Sequence, residues 1–382
     1  ARRLEVTGTG QDLSFGQAQL DGALAGQTRL ALRGTERGGV FAIDTASIDN
    51  PRLALNAEGR LGKAATDLRA TLRADDLRFL GRGFRGALEA RAEARSDAGG
   101  ATAFAANGTA RGLAIGNARA DAILAGETRL DLAGTRRADG VVTLSRLQAG
   151  NGQFRVTGEG SPAEALNLEA RLNDLAMLVP GFPGPLEVKG RVGHGGSAYQ
   201  LDLAATGPGE TSARITGTAA AHMSTMDLRI EGRGNAAAAN PFLRTRSIEG
   251  PVGFDIRVNG RPSLQAVSGR VALTGGRLAE PRFGLAVEAL NAAAEIRDSR
   301  IMVDVDGKVE SGGRITVTGP IALTGDRPMD LAVRVDDVRL RDPNLYELRA
   351  RGNLRVSGPQ KAGPLLSGRI DLAGRVQDLA GF

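Results

Sequence analysis

The 382-residue chain has no cysteine and no tryptophan, only two histidines, and aromatic residues make up 3% of it. Each shortage removes a class of function. Without Cys there is no disulfide stapling and no thiol chemistry. With two His, a transition-metal centre or a histidine-based catalytic apparatus has almost no raw material. Large compact cores draw much of their buried area from rings, so the aromatic shortage points to a thin or open apolar layer of Leu, Val, Ile and Ala. No apolar run approaches the length of a membrane span; the longest, around Leu175 to Val179, is cut by Pro180.

What is present is glycine, at 54 residues, and enough apolar sequence (41%) to bury a core somewhere. Lys and Arg number 49 against 43 Asp and Glu, a net charge of +6. The charges alternate in sign along the chain, form no basic run and lack the stacking rings of single-strand binders, which excludes a nucleic-acid partner. The chain opens directly on the alternation Arg2-Arg3-Leu4-Glu5-Val6 without a start methionine. It therefore reads as a segment of something longer, with any anchor outside it.

Residues 8–35 align without a gap on residues 108–135, with 15 of 28 positions identical, including Leu-Ala-Gly-x-Thr-Arg-Leu at 24–30 and 124–130. With a one-residue shift the match reaches Glu58-Gly59 against Glu159-Gly160, and Gly83-Phe84 through Glu89 answers Gly181-Phe182 through Glu187. This internal duplication divides the chain into a first β block at 1–100, its duplicate at 101–200 and further β blocks at 201–382. Units of about a hundred residues added end to end predict growth along one axis, as in solenoids.

Within each block the side-chain period is two. Leu88 to Arg95, Phe254 to Val258, Ile301 to Asp306, Arg314 to Thr318 and Leu331 to Val335 all alternate apolar with polar residues, the pattern of strands with one solvated face. Asn-Gly pairs at 107, 151 and 259 and Gly-Gly pairs at 38, 99 and 312 predict hairpin turns, so the sheet should be mainly antiparallel. Ser161-Pro162-Ala163-Glu164 has the letters of a capping box, but the duplicate stretch Asp67 to Arg73 alternates; strand is expected at 166–172 and a short helical turn at 174–178. The fold class is all-β: an elongated, curved, solenoid-like or taco-like sheet of about thirty strands, with an apolar groove and few helical turns.

Three motifs could carry chemistry. Gly81-Arg-Gly-Phe-Arg-Gly86 satisfies a dinucleotide fingerprint, but its repeat copy, Val179-Pro-Gly-Phe-Pro-Gly184, loses the first glycine and inserts prolines, which makes an inter-strand loop the better reading. His194-Gly-Gly-Ser197 is similar to an esterase oxyanion loop, yet no nucleophile elbow accompanies it, so an exposed hairpin tip is expected. In Asp304-x-Asp306-Gly307 the glycine arrives too early for a calcium loop, and strand alternation explains both carboxylates. No catalytic, cofactor or metal residue is assigned, and His194 and His222 are given no role. A carboxylate-pair hydrolase on a β-helix would be expected to offer aromatic platforms for sugars, and these are missing.

The phrases Asp174 to Gly190 and Leu340 to Pro359, followed by Leu366 to Leu372, resemble the TamB family, the large subunit of the bacterial translocation and assembly module, within the AsmA-like group. The likeness is one of cadence over most of the chain, strongest at about 325–372. It implies a periplasmic protein anchored in the inner membrane through a segment absent from this sequence, which also stops before the family's extreme C-terminus. It further implies a U-shaped sheet with an apolar interior, phospholipid acyl chains and unfolded outer-membrane polypeptides as cargo, and a TamA-like outer-membrane barrel as partner.

Both lines of reasoning give a non-enzymatic scaffold with an apolar trough. Strand period assigns its lining to Leu53, Leu55, Leu68, Leu72, Leu130, Leu132, Leu168, Leu172, Ile256, Val258, Val303, Val305, Ile315, Val317, Val333, Val335, Leu354 and Val356. The alternative is a passive or adhesive β-solenoid whose apolar face closes on itself. A compact globule of this length has a radius of gyration of about 21 Å, whereas about thirty strands stacked at ~4.8 Å predict a rod with a value of about 40 Å. Small-angle scattering separates the two, and a result under about 25 Å would sink the extended sheet.

Overall fold

The computed structural model describes residues 1–14, 16–62, 66–81, 83–97, 99–195, 198–220, 224–243, 245–342, 346–359 and 363–376. Hydrogen bonding assigns 24 strands to one antiparallel sheet that is not closed, fewer than the thirty or so expected because many strands run to ten residues or more. The chain divides into two compact units, 1–180 with 185–195, and 181–184 with 196–382. No described helix is long and apolar enough to cross a membrane.

Unit 1 holds β1 (Arg2–Gln11), β2 (Gln27–Arg37), β3 (Val40–Asp49), β4 (Leu53–Leu61), β5 (Asp67–Ala74) and β6 (Phe84–Ser96). After these come β7 (Thr102–Ile115), β8 (Glu127–Arg136), β9 (Val142–Gly150), β10 (Phe154–Ser161), β11 (Ala165–Leu172) and β12 (Leu186–Gly195). Each pairs antiparallel with the next. The duplication is visible in the geometry. A short helix, α1 (Ala18–Ala23), stands between β1 and β2, and another, α2 (Ala118–Leu124), between β7 and β8. Behind each lies a buried threonine, Thr28 or Thr128. Asn50 Nδ2 donates to the Ala23 carbonyl at 2.8 Å and its copy Asn151 to the Ile123 carbonyl at 2.9 Å. Each asparagine's Oδ1 accepts backbone N–H groups of the turn after it. The β2–β3 and β8–β9 ladders slip at the same place, skipping Asp44 and Ser145.

Short helical turns at 77–80 and 175–177 repeat as well, each capped by an aspartate, Asp76 or Asp174, that accepts an N–H two residues on. The second lies where the sequence places a turn, and 165–172 is strand. Ala23, Leu24, Ala74, Leu77, Ala110 and Leu172 are buried at this helical margin; the described remainder of unit 1 buries only the side chains of Thr28, Thr128 and Ser161.

Unit 2 holds β13 (Ala198–Gly207), β14 (Thr211–Ala220), β15 (Met226–Asn235), β16 (Ser247–Glu249), β17 (Pro251–Gly260) and β18 (Val267–Glu280). The remainder are β19 (Leu285–Arg297), β20 (Arg300–Val309), β21 (Arg314–Ala322), β22 (Pro328–Asp342), β23 (Tyr346–Pro359) and β24 (Leu365–Val376). A crease crosses it. The ladders shift between Leu273 and Leu278, between Glu288 and Asn291, and between Val335 and Val338, with Gly275, Ala289 and Asp337 at positive φ. Bulges of this kind bend strands and raise their twist. Ala236, Leu273, Val287, Leu290, Val309 and Val338 meet along the crease as a small core. Apolar sequence folds onto itself there and hardly elsewhere.

Two turn assignments fail. Asn107-Gly108 lies inside β7, paired with Arg91 and Ala90 on one side and Asp131 and Leu130 on the other. Glycine is there because a Cβ would stand 2.6 Å from the Glu89 carbonyl oxygen, not because the chain turns. Asn259-Gly260 is the paired end of β17, opposite Asp227 and Met226. Turns do occur at 38–39, 99–100, 151–152 and 312. His194 is exposed near the end of β12; the rest of its proposed tip, 196–197, and His222 lie outside the described residues.

The solvated face carries a lattice of cross-strand ion pairs, among them Glu5–Arg33 at 2.7 Å, Asp202–Arg214 at 3.0 Å, Asp255–Arg229 at 2.8 Å and Lys189–Glu169 at 2.9 Å. Guanidinium hydrogen bonds hold the Glu5, Asp255, Asp306 and Asp330 carboxyls below their ordinary values of 4.5 for Glu and 3.8 for Asp. A folded-state pKa below the unfolded one stabilises the fold above that range and loses its contribution as pH falls through it. The thermal midpoint should hold steady from pH 7 to about 5.5 and decline below about 4.5, weakly because these four carboxyls are solvated; a midpoint that rises on acidification contradicts the lattice. Val338→Ala, at the crease and 2% exposed, should cost about 1.5–3 kcal/mol in denaturant unfolding, and Val303→Ala, half-buried on the open sheet, less than about 1 kcal/mol.

Candidate functional site

In an antiparallel ladder, directly opposed residues share a face, so register carries each alternating segment onto its neighbours. In unit 1 one unbroken row runs Gly8, Leu30, Ile48, Leu55, Leu72, Ala90, Gly108, Leu130, Ala149, Val156, Ala170, Val188. The row two residues along runs from Val6 and Leu32 through five alanines to Leu132, Leu147, Gly158 and Leu168. Every residue in both is apolar. Leu53 and Leu68 fall on the same face, opposite Ala74 and Gly59, and Leu172 opposite Phe154. All eight trough residues read from this part of the sequence therefore share one side. Seven are half-buried; Leu172, against the helical margin, is 7% exposed.

Unit 2 repeats the arrangement. Leu203, Ile215, Ile230, Ile256, Gly269, Ile296, Ile301, Ile321 and Met329 stand in one row across eight consecutive ladders. Val258 faces Leu228 and Val267, and Val303 lies between Ala294 and Gly319. Val305, Val317, Val333 and Leu354 are opposed in series, Ile315 pairs Val335, and Val356 pairs Leu331 and Leu366. The ten residues named from the sequence share this face, but not one environment. Val305, Ile315 and Val335 pack against the buried crease cluster, whereas Ile256, Val303 and Leu354 lie along the open part.

The face is smooth because bulk alternates with its absence. Leu130 stands between Gly108 and Ala149, Leu168 between Gly158 and Gly190, and Ile256 beside Gly269. Its few rings lie over glycines of the adjoining strand, Phe41 on Gly34, Phe104 on Gly134 and Phe254 on Gly232, so they cover backbone instead of projecting. Chemically the face offers contact area and no hydrogen-bonding group. Past the crease the sequence reading misses Val287, Leu290, Val338 and Leu340, because each bulge shifts the period by one. The signal is present as a phase break, Val333-x-Val335-Asp-Asp-Val338-x-Leu340.

The first strand, β1, and the last, β24, each have one described partner strand, and Leu4, Val6, Leu365, Leu366 and Leu372 are exposed there. No curated protein and no solved structure matches the chain. A family model does, the TamB C-terminal domain, over residues 303–375, which spans β20 to β24 and includes the 325–372 stretch. The cadence of the sequence and this match agree on the same strands: residues 303–375 are similar to the TamB C-terminal domain.

Proposed function

We propose that the chain is part of a non-enzymatic scaffold of the bacterial envelope, periplasmic and anchored in the inner membrane by a segment outside this sequence, whose apolar face conducts phospholipid acyl chains between the two membranes. The observation that carries the reading is the set of unbroken apolar rows, half-exposed and crossing all twelve strands of unit 1 and most of unit 2. Burying acyl chain against such a surface is worth about 0.8 kcal/mol per methylene, and near-equivalent positions one strand apart keep the barrier to sliding low. The TamB segment supports a lipid or protein transport module. A second cargo is unfolded outer-membrane polypeptide delivered to a TamA-like barrel, for which strand addition to a sheet edge is the physical route.

The test is a charge on the open face. Val303→Asp places a carboxylate in the acyl path at a cost of several kcal/mol to any tail that must pass it; the empty face hydrates it, so the fold survives. Val303 is preferred to Val305, whose contact with the crease cluster would confound transport with folding. Transfer of labelled phospholipid between vesicles should fall at least tenfold, while Asp304→Lys on the solvated face leaves it unchanged, with both thermal midpoints near that of the parent. Undiminished transfer by folded Val303→Asp removes the conduit. Loss of the fold instead favours the closed solenoid.

A further inference from the structure

Unit 1 has a second concave surface, on the side away from the apolar rows. A cleft of about 1390 Å³ spans β4 to β10, and one of about 760 Å³ continues it over β9 to β12, sharing Gln148 and Thr157. The first exceeds the roughly 300–1,000 Å³ of ordinary small-molecule sites. Its lining includes Leu72, Ala90, Gly108, Leu130 and Ala149 of the apolar row together with the polar residues that alternate with them, and register sorts the polar ones into two parallel rows. In one, Arg91 stands between Thr71 and Asn107, and Asp131 between Asn107 and Gln148. In the other, Glu89 stands between Arg73 and Thr109, with Arg129 next and Arg155 beyond Gly150.

The acids are already matched: Glu89 and Glu127 share Arg111 at 3.6 Å, and Asp131 pairs with Arg146. Arg91 and Arg155 have no ion pair among the described residues, and Asn107 and Gln148 no side-chain hydrogen bond among them. The cleft thus presents two spare guanidiniums, Arg91 on β6 and Arg155 on β10, four strands apart and in different rows, with the amides of Asn107 and Gln148 on strands between them.

We infer that this polar cleft is a binding site for an extended glycan that carries carboxylates. Sugar hydroxyls both donate and accept, which suits a row mixing amides, threonines and arginines, and carboxylates answer the unmatched guanidiniums bidentately. Charge has to carry recognition because the one aromatic residue of the lining, Phe154, is opposed to Leu172 and so belongs to the apolar face. Other polymers fit less well. A polyphosphate backbone carries no hydroxyl to donate to the amide and threonine oxygens of the two rows. An extended peptide finds no free strand edge, since β4 to β10 are paired on both sides. The site is independent of lipid conduction.

Titration calorimetry of the whole chain with oligogalacturonate tests it, beside an uncharged cello-oligosaccharide and poly-glutamate. Oligogalacturonate should bind, more weakly at high salt, and the double variant Arg91→Ala/Arg155→Ala should lose at least tenfold in affinity with an unchanged circular dichroism spectrum. Val303→Asp, on the other face, should bind like the parent whether or not it conducts lipid. No binding of oligogalacturonate at millimolar concentration overturns the inference. So does an unaltered affinity in the folded double variant, or equal binding of poly-glutamate, which would make the cleft a site for acidic polypeptide.

Discussion

The constraint on which everything else rests is the coupling of the two-residue side-chain period to in-register antiparallel pairing. A strand alone with apolar residues at alternate positions has a greasy side and a wet side. Register makes those sides common property of every strand in the ladder, because a one-residue slip anywhere would carry a whole strand's leucines into water and its arginines onto the apolar face. Leu55 opposite Leu72, Leu130 opposite Ala149 and Ile215 opposite Ile230 are thus enforced together. The ion pairs Glu5–Arg33 and Asp255–Arg229 enforce the same register from the other side. Each is weak, solvated as it is, but both faces reject the same slip.

Where the sheet bends, the same coupling explains how it bends without losing its face. A bulge inserts one residue, so the apolar phase must shift with it. Val335 is followed on its face by Val338, and Val287 by Leu290. Creasing brings these residues within reach of Leu273 and Val309 and yields the one cluster of unit 2 that resembles an ordinary core. Burial and bending therefore coincide, as do burial and the short helices of unit 1, which cover Ala74 and Leu172 at one margin only.

Much of this was legible in the sequence because it is local. Alternation in Ile301 to Asp306 or Leu331 to Val335 needs no partner strand to be recognised, and the duplication at 8–35 and 108–135 announces that α1 and α2, Thr28 and Thr128 recur. What the sequence hid is what depends on partners. Asn107-Gly108 looks like a turn until Glu89 is seen pressing on it from β6, and Val305 looks equivalent to Val303 until the crease brings Leu290 and Val287 toward one of them. The two rows of the polar cleft hide for the same reason. Arg91 and Asn107 are sixteen positions apart, and only the β6–β7 register sets them side by side.

The open apolar face is the hardest feature to reconcile with a protein that is merely structural. A third apolar row runs from Leu4 and Gly34 through Leu68 and Phe104 to Leu166 and Val192. Twelve strands at about 4.8 Å by three rows at about 7 Å make a patch of roughly 50 by 14 Å, some 700 Å² in unit 1 alone. Soluble monomers rarely leave more than a few hundred Å² of contiguous apolar surface uncovered, because aggregation follows. A passive solenoid would remove the hazard by closing, as the crease and the helical margin do locally. Over the rest of the sheet the chain does the opposite, placing glycine and alanine between its leucines so that the surface stays shallow, and laying its phenylalanines flat over glycines. Those choices give up core packing that bulkier residues would supply. On the proposed reading, they keep the contact area for a flexible apolar occupant that must also move.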